Sequence, residues 1–215
     1  MVTRLLFAAA LLLVGLWVVG DIFTSKLNTS RLLEIGARIS GRWQTRSYLA
    51  LVLLWGLGSS AEIIILERSL TLFSAIVGLT LLLMGRHLRK EARAALGQRW
   101  TLDVVSLPGN PLVTGQIYDR MRHPEYLGTL LVLVGVPLIH GAWFSVLLTL
   151  LAAVVLLYLR VRLEERVLNE DARYLSLMGD RPRFFPRRPP HNPHEPSAPT
   201  KLYPRSRRDN LPTQP

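Results

Sequence analysis

Apolar residues gather along the chain into five runs, roughly Leu5–Phe23, Tyr48–Leu66, Leu70–Gly85, Tyr126–Ile139 and Trp143–Leu159. A helix needs about 20 residues to cross the ~30 Å hydrocarbon core of a bilayer. The first two runs meet that length. The third and fourth are shorter, and a short run is accommodated by little tilt, by a thinner bilayer, or by ending below the far surface. The second and third runs are separated by Glu67-Arg68-Ser69, and the fourth and fifth by His140-Gly141-Ala142, so each pair predicts a tight helical hairpin. The pattern predicts an all-α, polytopic membrane bundle of about five transmembrane helices followed by a short helical region. A secretory signal peptide is the alternative for the first run, with Arg4 as its charged start, although no small-x-small cleavage pattern clearly follows Gly15–Gly20.

The polar stretches between the runs have structure of their own. Arg86–Trp100 carries Leu88, Ala92, Ala95 and Leu96 at helical spacing. It is expected to continue the third helix or to lie along the membrane surface, with Gly97 as the stop. Leu107–Pro111, LPGNP, reads as a turn. From Pro182 onward the chain holds ten of its fourteen prolines and almost no apolar periodicity beyond Phe184-Phe185. Disorder is expected after about Pro186.

Charge adds an orientation. Hydrophobic residues make up 49% of the chain, yet the formal net charge is +11. The Lys and Arg residues flank apolar runs and do not form one stripe, so basic loops between spans are expected and a nucleic-acid partner is not. Lys26, Arg31, Arg38, Arg42 and Arg46 lie between the first two runs. Arg86, Arg89, Lys90, Arg93, Arg99, Arg120 and Arg122 lie between the third and fourth, and the C-terminal region is richer still. The hairpin tips carry only Arg68. Positive loops stay inside, which predicts a cytoplasmic C-terminal tail and an N-terminus outside. Most of these side chains are expected simply to meet anionic headgroups. The chain has no cysteine, which excludes disulfides, Cys-ligated zinc, iron–sulfur clusters and thiol nucleophiles. His87, His123, His140, His191 and His194 form no i,i+4 pair on a predicted helix, so no metal site is expected.

The chemistry concentrates in Gly115–Gly128, GQIYDRMRHPEYLG, which sets Tyr118, Arg120, Arg122, His123, Glu125 and Tyr126 against the fourth run. Arg160 and Glu164-Glu165 close the fifth. Charge of both signs at a bilayer edge is costly unless a ligand or partner uses it. Taken singly, these groups read as an i,i+4 ion pair at a helix end and an interfacial histidine beside a headgroup-anchoring Tyr126. Taken together, they sit at one depth on two helices joined by a three-residue turn. Pro124 suits a first helical turn, whose free N–H groups favour an anion. Arg160, His123 and those N–H groups offer partners for carboxylates. Glu164 suits hydroxyls or a cation, and Tyr118 and Tyr126 supply ring walls. Such a pocket suits a zwitterionic ligand that bears a nucleoside.

In these residues the chain resembles the isoprenylcysteine carboxyl methyltransferase family, grouped with phospholipid N-methyltransferases and other small integral-membrane methyltransferases. The likeness covers roughly Arg86–Pro186: Leu96-Gly97, LVTGQIY at Leu112–Tyr118, RHPEYLG at Arg122–Gly128, RVRLEE at Arg160–Glu165, Tyr174, and RFFP at Arg183–Pro186. The resemblance implies a five-helix membrane enzyme that binds S-adenosylmethionine on its cytosolic side. Backbone around Pro111, Leu112 and Val113 would line the cofactor, and Tyr118 and His123 would hold its adenosyl and amino-acid parts. Tyr126, Glu164 and Glu165 would complete the cofactor site. Arg160 would bind the acceptor carboxylate near the sulfonium methyl, making Arg160 and Glu164 the implied catalytic pair. The implied partners are membrane lipids and a lipophilic methyl acceptor that enters sideways from the bilayer.

Methyl transfer to a carboxylate already ionised at neutral pH needs no strong base, so alignment and exclusion of water are the expected contributions of the protein. The implied organisation is three N-terminal transmembrane helices (1–85), a methyltransferase-like region with the second hairpin (86–186), and a Pro/Arg-rich tail (187–215). The chain departs from the family pattern at Asn110, where many members carry His. Asp171-Ala172 stands where Phe-Gly is usual, and Met178 where a second late Tyr is usual. Steroid reductase-like membrane enzymes, which use NADPH, share a related pattern with HPNY, but Glu125 replaces that Asn here. A non-catalytic membrane scaffold is the reading from a different class. Prenylcysteine, phospholipid amines, thiols and small apolar acids stay open as acceptors, and no feature of the sequence sets an oligomeric state.

Overall fold

The computed structural model describes residues 2–107, 112–171 and 173–185. Pro108–Pro111 of the expected turn, the departures at Asn110 and Ala172, and the expected disorder beyond Pro186 lie outside the described residues.

Helix α1 runs from Val2 to Glu34, well beyond the apolar run that ends at Phe23. The expected loop after Phe23 is therefore helical, because no glycine or proline interrupts Asp21–Ile35. Gly36 closes it in a left-handed conformation (φ 92°). The Ala37 N–H donates to the Leu32 carbonyl at 3.0 Å and the Gly36 N–H to Leu33 at 3.0 Å, which satisfies two terminal carbonyls. Strand β1 (Arg38–Ser40) follows, then α2 (Arg42–Ile65). Helix α3 (Leu72–Leu96) is capped by the Thr71 hydroxyl, which accepts from the Ser74 N–H at 3.3 Å. It passes unbroken from the third apolar run into the charged stretch and ends at Gly97, the expected continuation. Strand β2 (Val104–Ser106) pairs antiparallel with β1, placing Arg38 opposite Ser106 and Ser40 opposite Val104. Helix α4 (Pro124–Ile139) and helix α5 (Trp143–Leu168) form the second hairpin, and α6 (Arg173–Met178) sets Tyr174 and Met178 against Ala92 and Ala95 of α3 and against Tyr118.

Among the described residues this is an all-α membrane bundle apart from two three-residue strands. Among the described residues, four helical stretches are long and apolar enough to cross a membrane: Leu5–Glu34, Arg42–Ile65, Leu72–Arg99 and Trp143–Leu168. The chain is a multi-pass integral membrane protein, with Leu12, Leu54, Leu72 and Leu148 among its outward-facing apolar side chains. α4 is the short member of the expected five, as the length of its apolar run predicts. Its 16 residues reach only about 24 Å at 1.5 Å per residue.

Two joints fix the hairpins. Along α3 and α4, Gly78 faces Gly135 and Gly85 faces Gly128. A Cβ at Gly78 would lie 2.6 Å from the Gly135 carbonyl oxygen, and one at Gly128 would lie 2.7 Å from that of Gly85. The two backbones therefore approach as only small residues permit. At the tips, buried Glu62 of α2 accepts from the Ser145 N–H at 2.7 Å, the Ser145 hydroxyl at 2.8 Å and the Phe144 N–H at 3.2 Å. A carboxylate from one hairpin thus caps the positive end of α5 in the other. The Trp55 indole donates to the Leu133 carbonyl at 2.8 Å and adds a third tie between α2 and α4.

Candidate functional site

At the end opposite the hairpin tips, a cavity of about 620 Å³ opens among the start of α4, the end of α5, α6 and β2. His123, Tyr126 and Glu164 line it together with Leu112, Val113 and Tyr118. Pro124 occupies the first turn of α4, where its missing N–H costs nothing, and leaves His123 as the flanking residue. The imidazole is buried and stacks on Tyr126, with ring centroids 5.6 Å apart. Its Nδ1 lies 3.8 Å from Glu164 Oε2. Pro111 lies outside the described residues.

Arg160 and Glu164 do not pair directly; a phenol joins them. The Arg160 Nε–H donates to the Tyr126 hydroxyl at 2.9 Å, and that hydroxyl donates to Glu164 Oε2 at 2.5 Å. The remaining guanidinium bonds go to the Thr45 hydroxyl at 3.4 Å and the Leu102 carbonyl. Arg160 is buried, and among the described residues its hydrogen-bond partners are neutral oxygens. It faces a separate hollow of about 30 Å³, which Arg89, Tyr48 and Thr129 also line. Trp100, Thr101, Glu125 and Tyr126 face both spaces and form the partition between them.

Glu165 lines neither space. Its carboxylate accepts from Arg183 Nη2 at 2.6 Å, from His123 Nε2 at 3.3 Å and from Arg122 Nη1 at 3.3 Å. The segment 181–185 is drawn across the loop before α4 by the same knot. The Arg122 and His123 N–H groups donate to the Pro182 and Arg183 carbonyls, each at 2.9 Å, and Arg181 Nη1 donates to the Tyr118 carbonyl at 2.7 Å. Glu165 thereby orients the imidazole, and the opposite ring edge is left toward Glu164.

A further charged cluster supports the wall. Asp21 of α1 and Glu125 of α4 clasp Arg89 and Arg93 of α3, with Arg89 Nη2 2.7 Å from Asp21 and Arg93 Nη2 2.9 Å from Glu125. Arg93 also lies over the Trp100 ring, 4.0 Å from its centroid. Two cations and two anions balance, so burial leaves no net charge to solvate.

The donor set fits a nucleoside-bearing zwitterion. Leu112, Val113, Tyr118 and Met178 give an apolar flank. Asp103 and Glu164 give acceptors for hydroxyls or a cationic centre, Arg122 gives a cation for a carboxylate, and the His123 ring lines the same space. Burial pushes the Tyr118 phenol well above its ordinary pKa, and the charges of Glu164 and Glu125 push it further, so it stays a protonated donor. Trp100, Asp103, Arg122 and Tyr174 also face the cavity, and sequence reasoning did not assign them. Arg122 was visible within RHPEY and Tyr174 within the resemblance. Trp100 and Asp103 carried no signal.

Residues 76–170 match the model of the isoprenylcysteine carboxyl methyltransferase (ICMT) family. The chain is similar to the uncharacterized protein YpbQ of Bacillus subtilis, 24% identical over 151 residues that cover 70% of this chain and 89% of that one. It is also similar to the protein-S-isoprenylcysteine O-methyltransferase of Schizosaccharomyces pombe, 33% identical over 101 residues. That stretch covers 46% of this chain and 40% of the Schizosaccharomyces enzyme. At family level these likenesses support a membrane methyltransferase.

Proposed function

Starting from an ICMT-like segment that holds both walls of the cavity, we propose that this protein is an S-adenosylmethionine-dependent methyltransferase whose acceptor is a lipophilic carboxylate of the isoprenylcysteine class. One observation carries the reading. His123 and Glu164, from the start of α4 and the end of α5, line a single cavity of about 620 Å³, a volume ordinary for a cofactor site. S-adenosylmethionine, when bound, supplies an electrophilic methyl on its sulfonium.

Leu112, Val113 and Tyr118 would hold its adenosine, while Arg122 and His123 would take its carboxylate and Glu164 its cationic part. Arg160 would orient the acceptor carboxylate from the adjoining hollow. Its three neutral partners leave its charge available for an anion, yet they fix the guanidinium in place. No base is required for an acceptor that is already ionised, so the site contributes positioning and a dry wall. The basic segments around β1 and after α3 meet at this end through the β1–β2 pairing, which supports a cytosolic site with the N-terminus outside.

Thermal unfolding of the detergent-purified protein tests the cofactor. Saturating S-adenosylhomocysteine is expected to raise the Tm, because a ligand selective for the native state stabilises it. Stabilisation by NADPH with none by S-adenosylhomocysteine would overturn the reading in favour of a reductase, and no response to either would favour a scaffold. Transfer of tritiated methyl to a lipophilic carboxylate tests the acceptor class.

A further inference from the structure

One face of α1 is polar where its neighbours are apolar. Asp21, Ser25, Asn28 and Leu32 recur at intervals of four, three and four, which is a single helical face. All four are buried, whereas Phe23 and Leu27 between them are 65% and 46% exposed. The face is turned toward the partition between the two spaces. Asn28 Nδ2 donates to the Trp100 carbonyl at 2.8 Å, and the Leu102 N–H donates to the Ser25 hydroxyl at 2.8 Å. Asp21 anchors the Arg89–Arg93 pair, and Leu32 lines the large cavity.

The Trp100–Leu102 segment belongs to neither a helix nor a strand; the Trp100 N–H donates to the Gly97 carbonyl at 3.2 Å, but the Trp100 carbonyl and both polar groups of Leu102 depend on such side-chain partners. The Leu102 carbonyl accepts from Thr45 Oγ1 at 3.1 Å and also from Arg160 Nη2. A chain of bonds therefore runs from α1 through residue 102 to the arginine beside the smaller hollow. The face lies ahead of the ICMT-like residues 76–170.

We infer that the polar face of α1 positions the Arg160 guanidinium by holding the Trp100–Leu102 partition, and thereby sets affinity for the anionic end of the acceptor. Ser25 and Asn28 are positioning residues that act through Trp100 and Leu102. The acceptor's identity rests on the methyltransferase reading, whereas the hold on the partition rests on α1 alone. The groups proposed to grip the cofactor come from the residues before α4 and from α5, and none of them is bonded to Ser25 or Asn28.

Ser25→Ala and Asn28→Leu remove the two α1 bonds without adding charge, and Ser25→Thr keeps the hydroxyl. Hydrogen-exchange mass spectrometry on the full-length protein in detergent reads the partition directly. Exchange over residues 100–102 is expected to quicken at least about fivefold in Ser25→Ala and Asn28→Leu, as loss of one net hydrogen bond implies, and to return toward wild type in Ser25→Thr. Binding of N-acetyl-S-farnesylcysteine and its KM for methylation are expected to weaken about fivefold to tenfold. Under the same changes kcat and S-adenosylhomocysteine affinity should stay within about twofold.

Unchanged exchange at 100–102 overturns the inference. So does quickened exchange with unaltered acceptor affinity, or a parallel fall in acceptor and S-adenosylhomocysteine affinity, which signals general loosening. Failure of the wild-type protein to bind the lipophilic carboxylate overturns the acceptor half. A wild-type protein that neither binds S-adenosylhomocysteine nor transfers methyl overturns the proposed function instead, while the exchange measurement still decides whether α1 holds the partition.

Discussion

Tyr126 stands between an arginine and a glutamate whose four-residue spacing would otherwise let them pair. By accepting from Arg160 and donating to Glu164, it keeps each charge on its own side of a wall. Division of labour follows. Arg160→Ala is expected to lower methyl transfer at least about a hundredfold while S-adenosylhomocysteine affinity changes less than about threefold, since a lost charged hydrogen bond costs roughly 1.5–3 kcal/mol and alignment adds to that. Glu164→Ala should do the reverse first and weaken S-adenosylhomocysteine binding about tenfold or more. Tritiated-methyl turnover and calorimetric titration separate the two. Glu165→Ala is expected to act mainly on stability, by about 2 kcal/mol in thermal unfolding. It strips an acceptor from buried His123 and from Arg122, with a discount for Arg183, which is half exposed.

Much of this site was readable from spacing. Arg160 and Glu164 share a helix face, and the three-residue turn brings His123 to their depth. The bridge by Tyr126 was not readable, because its partners lie 34 and 38 residues away. The capture of Glu165 by Arg122, His123 and Arg183 was not readable either. It depends on the segment 181–185, whose return across the loop leaves no periodic mark in the sequence.

The helices owe their places to a few close contacts. Gly85→Leu is expected to destabilise the bundle by about 2–3 kcal/mol in detergent unfolding, because its Cβ would meet the Gly128 carbonyl oxygen, which is backbone and cannot step aside. Continuation of α3 through Arg86–Leu96 was legible in Leu88, Ala92, Ala95 and Leu96 on one face. The extension of α1 past Phe23 was not. Its buried stripe is Asp21, Ser25 and Asn28, so a search for apolar periodicity reads that turn of helix inside out. The β1–β2 ribbon is three residues long on each side and pairs segments 66 positions apart (Ser40 with Val104 spans 64), beyond the reach of any local pattern. The four glycines were visible in the chain, but not that Gly78 seeks Gly135 and Gly85 seeks Gly128.

Across the whole molecule, two groups of loops lie at opposite ends. The tips carry Glu62, Arg68 and the start of α5; the other end carries the basic loops and the cavity. The absence of cysteine makes sidedness directly measurable. Ser69→Cys and Gln98→Cys place single thiols at exposed positions on the two ends. An impermeant maleimide applied to intact cells is expected to label the first and not the second, with both labelled after permeabilisation; the opposite result would invert the proposed topology.

The unequal hairpin carries one more implication. α4 reaches only about 24 Å while α5, with 26 residues, reaches about 39 Å, so the longer helix overhangs the shorter like a ledge. An amphiphile resting at that ledge arrives by lateral diffusion in two dimensions. Its effective abundance is then a mole fraction of the surrounding lipid, so inert phospholipid added to reconstituted vesicles at fixed total acceptor should slow turnover in proportion, although nothing in the bulk solution has been diluted.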